Sequence, residues 1–279
     1  MTRLGMIDFL NSRPVYHALV AGHVPRPVGL ELVRGPPAAL NRALVEGAVD
    51  VASVSSVHYA RHADDLVLLP GLSINSTGFV HSVNLVYRGS RETLRGGRIA
   101  VTDESATSEV LLRILLRESL KVDATPFQTT VDPEEIGVSV EGALLIGDQA
   151  LRAALAYPHL GRTDLGDAWT ALTGTPMVFG LWCARRSWAE ANPAAFREVR
   201  DALVASKAWG DANRFAIVEA ARRDLQFAYS RAFLSAYFRD LRYDLGAKES
   251  AGLAAFFERA HAIGAIPRPP RVVVPEAAP

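Results

Sequence analysis

Short apolar runs alternate with amphipathic stretches from the amino terminus onward, the pattern of an α/β fold with largely parallel sheets. Arg3 to Leu10 predicts a strand, and Pro14 to Val20 the helix that follows it, with Asn11 or Ser12 as its cap and Pro14 tolerated in the first turn. Gly29 to Val33 predicts a second strand, and Pro37 to Glu46 a helix with Leu40 and Leu44 on one face. Val49 to Ser53 predicts a third strand, followed at once by the polar turn Ser53 to Ser56 and a short helical stretch around Tyr59 to His62. Ser82 to Tyr87 reads as extended chain.

The segment Leu94-Arg95-Gly96-Gly97 breaks this pattern and introduces a fresh strand, Arg98 to Val101, taken as the start of a second lobe. Ser105 to Ser119 predicts a helix with Val110, Leu111, Ile114 and Leu115 as its apolar stripe. Ala143 to Ile146 predicts a buried strand, leading through Gly147-Asp148 into a helix from Gln149 to Ala156. Met177 to Ala184 is a long apolar strand suited to the return crossing. Beyond it the periodicity is helical over Pro193 to Trp209, Arg214 to Leu225, Ser230 to Arg239 and Lys248 to Ile263, and these helices are expected to pack on the first lobe. The Pro-rich stretch from Pro267 to Pro279 is expected to be an extended or frayed tail. The expected division is therefore residues 1–88 with 184–279 as one lobe and 89–183 as an inserted second lobe. A chain of 279 residues suits two lobes of roughly 100 to 180 residues, and two lobes imply a cleft.

Composition narrows the possible partners. With 49% hydrophobic and 22% charged residues, the chain can bury real cores and is not disordered over most of its length. Thirty basic residues balance thirty acidic ones, so no global field attracts nucleic acid or an anionic membrane surface, and a small-molecule partner is the expectation. No apolar run approaches the roughly 20 residues that span a bilayer, and Met1-Thr2-Arg3 leads straight into a strand rather than a signal peptide. Export is not expected, and the cytoplasm is. The single Cys183 makes no internal disulfide, and beside Leu181 and Trp182 it reads as a buried structural thiol. No metal-ligand spacing is present. Oligomerisation is left open.

In open α/β sheets, ligands bind beyond the carboxyl ends of the strands, where helix amino termini present free N–H groups. Such junctions occur here at Asn11-Ser12, Ser53 to Ser56, Ser105 to Ser108 and Gly147-Asp148, two from each lobe. Their hydroxyls and amides suit a ligand with more than one carboxylate. They equally suit ordinary helix capping. Asp148 either meets a substrate hydroxyl or caps the next helix, since a carboxylate repels an anionic substrate. His81, His58 and His62 are the remaining acid–base candidates, the last two reading more readily as helix-surface residues. Phe179 and Trp182 wall a cleft or belong to the core, and Tyr237 and Tyr243 read as core. Arg13 either pairs with a carboxylate or lies solvated at the helix start.

The junction sequences resemble the chorismate dehydratase family along nearly the whole chain. The carrying blocks are Asp8-Phe9-Leu10-Asn11-Ser12-Arg13-Pro14-Val15-Tyr16, Asp50 to Ser56, Thr107 to Leu115, Ala143 to Leu151, Thr173 to Trp182, and Tyr243-Asp244-Leu245-Gly246 with Glu249 and Gly252. The resemblance implies a type II periplasmic-binding-protein architecture with the ligand cleft between its lobes. It implies a hydro-lyase that converts chorismate to 3-[(1-carboxyvinyl)oxy]benzoate in futalosine-dependent menaquinone synthesis, without a cofactor. The resemblance strengthens Asn11 as a catalytic residue, with Ser82 beside it; the strand-end junctions and their neighbours supply Ser12, Arg13, Ser53, Ser55, Ser56, Ser105, Thr107, Ser108, Gly147, Asp148 and Phe179 as expected substrate-binding residues, although Arg13 departs from the family pattern. The rivals are the dihydroxynaphthoate synthase of the same pathway, disfavoured because Leu10-Asn11-Ser12-Arg13 replaces a Cys-Pro-Asn-Asp-type motif, and a non-catalytic binding protein of the same fold.

Overall fold

The computed structural model describes residues 1–102, 106–226 and 228–272. Two sheets organise it. The first contains β1 (Thr2–Met6), β2 (Leu30–Arg34), β3 (Val51–Ser55), β4 (Leu66–Ser76), β10 (Met177–Arg185) and the short β11 (Leu241–Arg242), in the order β11-β4-β10-β3-β1-β2. β1 runs parallel to β2 and β3, whereas β10 lies antiparallel to β3 and β4. The second contains β5 (Val83–Tyr87), β6 (Arg98–Val101), β7 (Thr125–Gln128), β8 (Gly142–Ile146) and β9 (Gly161–Asp164), in the order β7-β6-β8-β5-β9.

The parallel pairs follow from strand–helix–strand units. α1 (Arg13–Ala21) connects β1 to β2, and α2 (Pro37–Glu46) connects β2 to β3. Each helix ends at a glycine in the left-handed conformation, Gly22 and Gly47, where a side chain would be strained. Pro37 begins α2 and Glu46 ends it, matching the periodicity; leucines 40 and 44 form its buried stripe.

Sheet membership changes hands earlier than expected at both crossings. β5 pairs with β8 and β9 and so belongs to the second sheet, although residues up to 88 had been grouped with the first lobe. β10 pairs with β3 and β4 and belongs to the first sheet, although the return had been placed after residue 183. The chain therefore passes from the first sheet to the second between Ser76 and Val83 and returns between Asp164 and Met177, with Gly96-Gly97 inside the second-sheet stretch. The missed elements explain the shift. β4 is nearly all buried, so it lacks the alternation that reveals a half-exposed strand, and β9 and α6 (Leu165–Thr173) are short.

The remaining helices are α3 (Ser56–Arg61), α4 (Ala106–Leu115), α5 (Gly147–Ala156), α7 (Arg186–Ala191), α8 (Pro193–Ala212), α9 (Arg214–Asp224), α10 (Arg231–Asp240) and α11 (Ala247–Ala262). A π-turn over Leu116–Leu120 continues α4, so the single helix expected to Ser119 changes pitch within its span. α8 lies on α1 closely enough that a Cβ on Gly210 would meet the Pro14 carbonyl at 2.4 Å. α11 touches both β10 and α4, so the carboxyl-terminal helices reach the second lobe as well as the first.

The largest buried side chains are Trp169, Trp182, Tyr237, Phe256 and Phe257. Trp182, expected either to wall a cleft or to sit in the core, is core: its indole N–H donates to the Tyr16 hydroxyl at 2.9 Å, which itself donates to the Gly5 carbonyl. Cys183 is buried among these residues, and burial pushes its thiol pKa up, which keeps it a neutral packing group.

Candidate active site

A cleft with about 700 Å³ of empty space, part of it open to solvent, lies between the two sheets. The carboxyl ends of β1 and β3 open onto it from one lobe, and the amino ends of α4 and α5 from the other. Asn11, Ser53, Ser55, Ser82, Thr107, Ser108 and Gly147 supply its polar lining; Ile7, Phe9, Ile74, Val80, Ile146 and Phe179 are prominent among its apolar walls. None of the described lining residues carries an ionisable side chain.

Every expected strand-end junction thus contributes at least one residue to this cleft. Asn11 sits in a 3-10 turn, Leu10–Ser12, between β1 and α1, and its amide makes no side-chain hydrogen bond among the described residues. Ser53, nearly fully buried, and Ser55 come from the end of β3. Phe179 enters from β10. Ser105 lies outside the described residues, while Thr107 and Ser108 occupy the first turn of α4.

Four of the expected residues do not line the cleft, each for a local reason. The Ser12 hydroxyl donates to the Ile7 and Phe9 carbonyls of its own turn. Arg13 pairs with Asp224 at 2.6 Å in a neighbouring surface groove. Ser56 is completely buried and donates to the Val178 carbonyl at 2.7 Å. The Asp148 carboxylate faces the first lobe, where it accepts the Leu10 N–H at 3.3 Å; burial raises its pKa, with that hydrogen bond opposing the shift.

Much of the polar equipment at the helix starts is used within the protein, and one of these bonds joins the lobes. The Val57 N–H, in the first turn of α3, donates to Thr107 Oγ1 across the cleft at 3.0 Å, and the His58 N–H donates to Ser55 Oγ. The Gly147 N–H donates to the Ser82 carbonyl at 2.7 Å. Gly147 itself has φ +53°, and a Cβ there would stand 3.3 Å from the Phe9 ring, so glycine lets the two lobes approach. These N–H groups are occupied by protein acceptors. The Asn11 amide and the Ser53 and Ser108 hydroxyls line the cleft and have no side-chain partner among the described residues.

Ser82 is held by the first crossing. Its N–H donates to the Val80 carbonyl at 2.7 Å, closing a γ-turn around His81, whose φ of +61° is one that side chains rarely adopt. Asp164 accepts the Val80 and His81 N–H groups, and burial pushes its carboxyl pKa up against those hydrogen bonds. His81 Nε2 contacts Asp240 at 2.8 Å. Burial also works against the charge on Asp240, but hydrogen bonds from Arg239 and His81 outweigh it and hold its carboxyl below the usual range. Neither His81 nor the other histidine candidates line the cleft. His58 is half-buried, and that burial pushes its pKa down to about 4 and leaves it neutral. The apolar walls at Ile7, Phe9, Ile74 and Ile146 had no sequence signal distinguishing them from core; Phe9 and Ile7 were visible only as the residues flanking the Asn11 turn.

Two α/β lobes joined by two crossings, with an uncharged cleft between their strand ends, define a protein of the periplasmic-binding-protein type. Solved structures agree on this fold. A protein of Archaeoglobus fulgidus superposes with a TM-score of 0.77 at 23% identity, covering 95% of this chain and 98% of that one. The periplasmic aliphatic sulphonate binding protein of Escherichia coli superposes with a TM-score of 0.67 at 20% identity, covering 98% and 95%. A family model described as menaquinone biosynthesis matches residues 2–262, and the chain belongs to that family. Among its relatives, the chorismate dehydratase of Thermus thermophilus is 34% identical over 91% of this chain and 93% of its own length. The 1,4-dihydroxy-6-naphtoate synthase of the same organism is 28% identical over 96% and 97%. Among the described residues, no helix is long and apolar enough to cross a membrane.

Proposed function

We propose that this protein is a chorismate dehydratase: a cytoplasmic hydro-lyase that removes water from chorismate to give 3-[(1-carboxyvinyl)oxy]benzoate. The observation that carries this reading is the convergence of Asn11, Ser53, Ser55, Ser82, Thr107, Ser108 and Gly147, drawn from both lobes, on one cleft with apolar walls. The higher identity to the chorismate dehydratase relative than to the naphthoate synthase supports the choice of reaction. In this reading the lobe boundaries fall in residues 77–82 and 165–176.

The chemistry asks little of the protein as an acid or base. The C3–H bond of the ring is vinylogous to the ring carboxylate, so its electron pair delocalises as a dienolate-like charge when the proton leaves. The C4–O bond then breaks, the hydroxyl departs with a proton as water, and the ring becomes aromatic. The protein has to stabilise that charge, orient the leaving hydroxyl and exclude competing rearrangement of the enolpyruvyl ether. In this reading the substrate's own enolpyruvyl carboxylate takes the C3 proton, with the uncharged lining of Asn11, Ser53, Ser55 and Ser82 around it. Asn11 orients that carboxylate or the leaving hydroxyl, and Ser82 hydrogen-bonds beside it. Ser53, Ser55, Thr107, Ser108 and Gly147 frame the carboxylates, with Phe179 against the ring.

The test is incubation with chorismate, without added metal or nucleotide, followed by ultraviolet absorbance and mass. Loss of one water with appearance of an aromatic product is expected. Unchanged chorismate that nevertheless raises the melting temperature would make the protein a binder instead.

A further inference from the structure

The geometry points to Tyr237 as a positioning residue that fixes the Ser82 hydroxyl as a hydrogen-bond donor toward the cleft. This inference rests on the dehydratase reading and adds to it a residue that does not line the site. Tyr237 is 1% exposed, on α10, and is not among the residues that line the cleft. Its hydroxyl donates to Ser82 Oγ at 3.2 Å, its one hydrogen bond among the described residues. The same helix holds the preceding residue: Asp240, one turn beyond Tyr237, meets His81 Nε2 at 2.8 Å. The Tyr237 ring also stands edge-on to the His81 ring at 6.3 Å. Residues one turn apart on α10 therefore hold His81 and Ser82, two of the three residues of the strained γ-turn.

A serine hydroxyl has one proton and two acceptor positions. On its own it can either donate to a ligand or accept from one, and an alcohol such as the leaving C4 hydroxyl permits both. Tyr237 removes that ambiguity. Its hydroxyl donates to Ser82 Oγ, and burial pushes its phenol pKa far up, so it keeps the proton that it donates. With an acceptor position of Oγ filled, the Ser82 proton is the group left to use. Without a ligand it has the Val80 carbonyl at 3.3 Å, a long contact that yields readily to a carboxylate or a departing hydroxyl. A plain packing role for Tyr237 needs the ring but not the hydroxyl, whereas this one needs the hydroxyl alone.

The decisive experiment is a kinetic cycle with chorismate on wild type, Tyr237→Phe, Ser82→Ala and the double variant, with melting curves for each. Tyr237→Phe is expected to lower kcat about five- to tenfold, the value of one neutral hydrogen bond, with KM little changed. In the Ser82→Ala background the same change is expected to leave kcat where it was. Tyr237→p-aminophenylalanine, which keeps an N–H donor at that place, is expected to restore most of the wild-type kcat, and this readout remains available should Tyr237→Phe not fold. An equal loss in both backgrounds, or a p-aminophenylalanine variant as slow as Ser82→Ala, overturns the inference while leaving the dehydratase reading intact. A wild-type protein that does not dehydrate chorismate overturns both.

Discussion

The two ends of the first-lobe sheet use polar groups in opposite ways. At the amino-terminal end of β1 and β3, Asp50 is 2% exposed and sits between two arginines. It accepts the Arg3 backbone N–H at 2.9 Å, the Arg3 guanidinium at 2.8 and 3.2 Å, and Arg185 Nη2 at 3.2 Å. Burial drives its pKa up, but these hydrogen bonds outweigh it and hold the carboxyl below its usual range. At the carboxyl-terminal end of the same strands, the Asn11 amide and Ser53 hydroxyl carry no charge and make no side-chain hydrogen bonds among the described residues. One end uses its polar groups to hold three strands in register; the other leaves them without side-chain partners at the cleft, free for the ligand proposed above. The lesson is that a buried charge with all its partners in place belongs to the fold, whereas neutral donors without partners at strand ends belong to the site.

Breaking each end should therefore give opposite phenotypes. Asp50→Ala leaves two arginines facing a buried gap and should cost about 3–5 kcal/mol of stability in denaturant titrations, while kcat at a temperature where the protein is folded stays near normal. Asn11→Ala should do the reverse, lowering kcat by about 100-fold or more with an unchanged unfolding midpoint. Near-normal turnover in both Asn11→Ala and Ser82→Ala, with folding intact, rejects the proposed roles. Gly147→Ala forces a side chain into φ +53° beside the Phe9 ring and should cost about 1–3 kcal/mol, read from the same titrations.

The smallest expected effect concerns pH. Because the folded pKa of Asp50 is depressed, its contribution is present above the ordinary carboxylate pKa and is lost as pH falls through the folded value. Asp148 has the opposite sign: its folded pKa is raised, so the stability linked to it is full below the ordinary value and is lost as pH rises through the folded one. Asp148→Asn, which can still accept the Leu10 N–H, should thus be slightly more stable than wild type at pH 7 and indistinguishable near about pH 3. A variant less stable than wild type at neutral pH would mean that the carboxylate charge itself ties the lobes.

Sequence reading reached the cleft better than it reached the sheet boundaries, for a physical reason. Strand-end junctions are local: a strand run, a polar turn and a capped helix are adjacent in the chain, so Asn11, Ser53, Thr107 and Gly147 announce themselves. The lobe crossings depend on pairing between distant strands, and nothing within Val83–Tyr87 reveals that its partners are β8 and β9. The four junction residues that miss the cleft show the same limit at smaller scale. Whether a hydroxyl faces a ligand or a carbonyl, as Ser12 and Ser56 do, depends on an acceptor that the turn itself or a remote strand provides. Tyr237 read as core, and its burial agrees; its contact with Ser82 spans 155 residues of sequence and had no local signal.

The claim on which the account rests is that neutral donors and the substrate's own carboxylate carry out the elimination. The dependence of kcat on pH tests it most directly, since substrate carboxylates and serine or asparagine side chains do not titrate near neutrality. The account predicts a flat profile from about pH 6 to 9. A limb near neutrality that vanishes when one histidine or carboxylate is replaced would contradict it and identify a protein base.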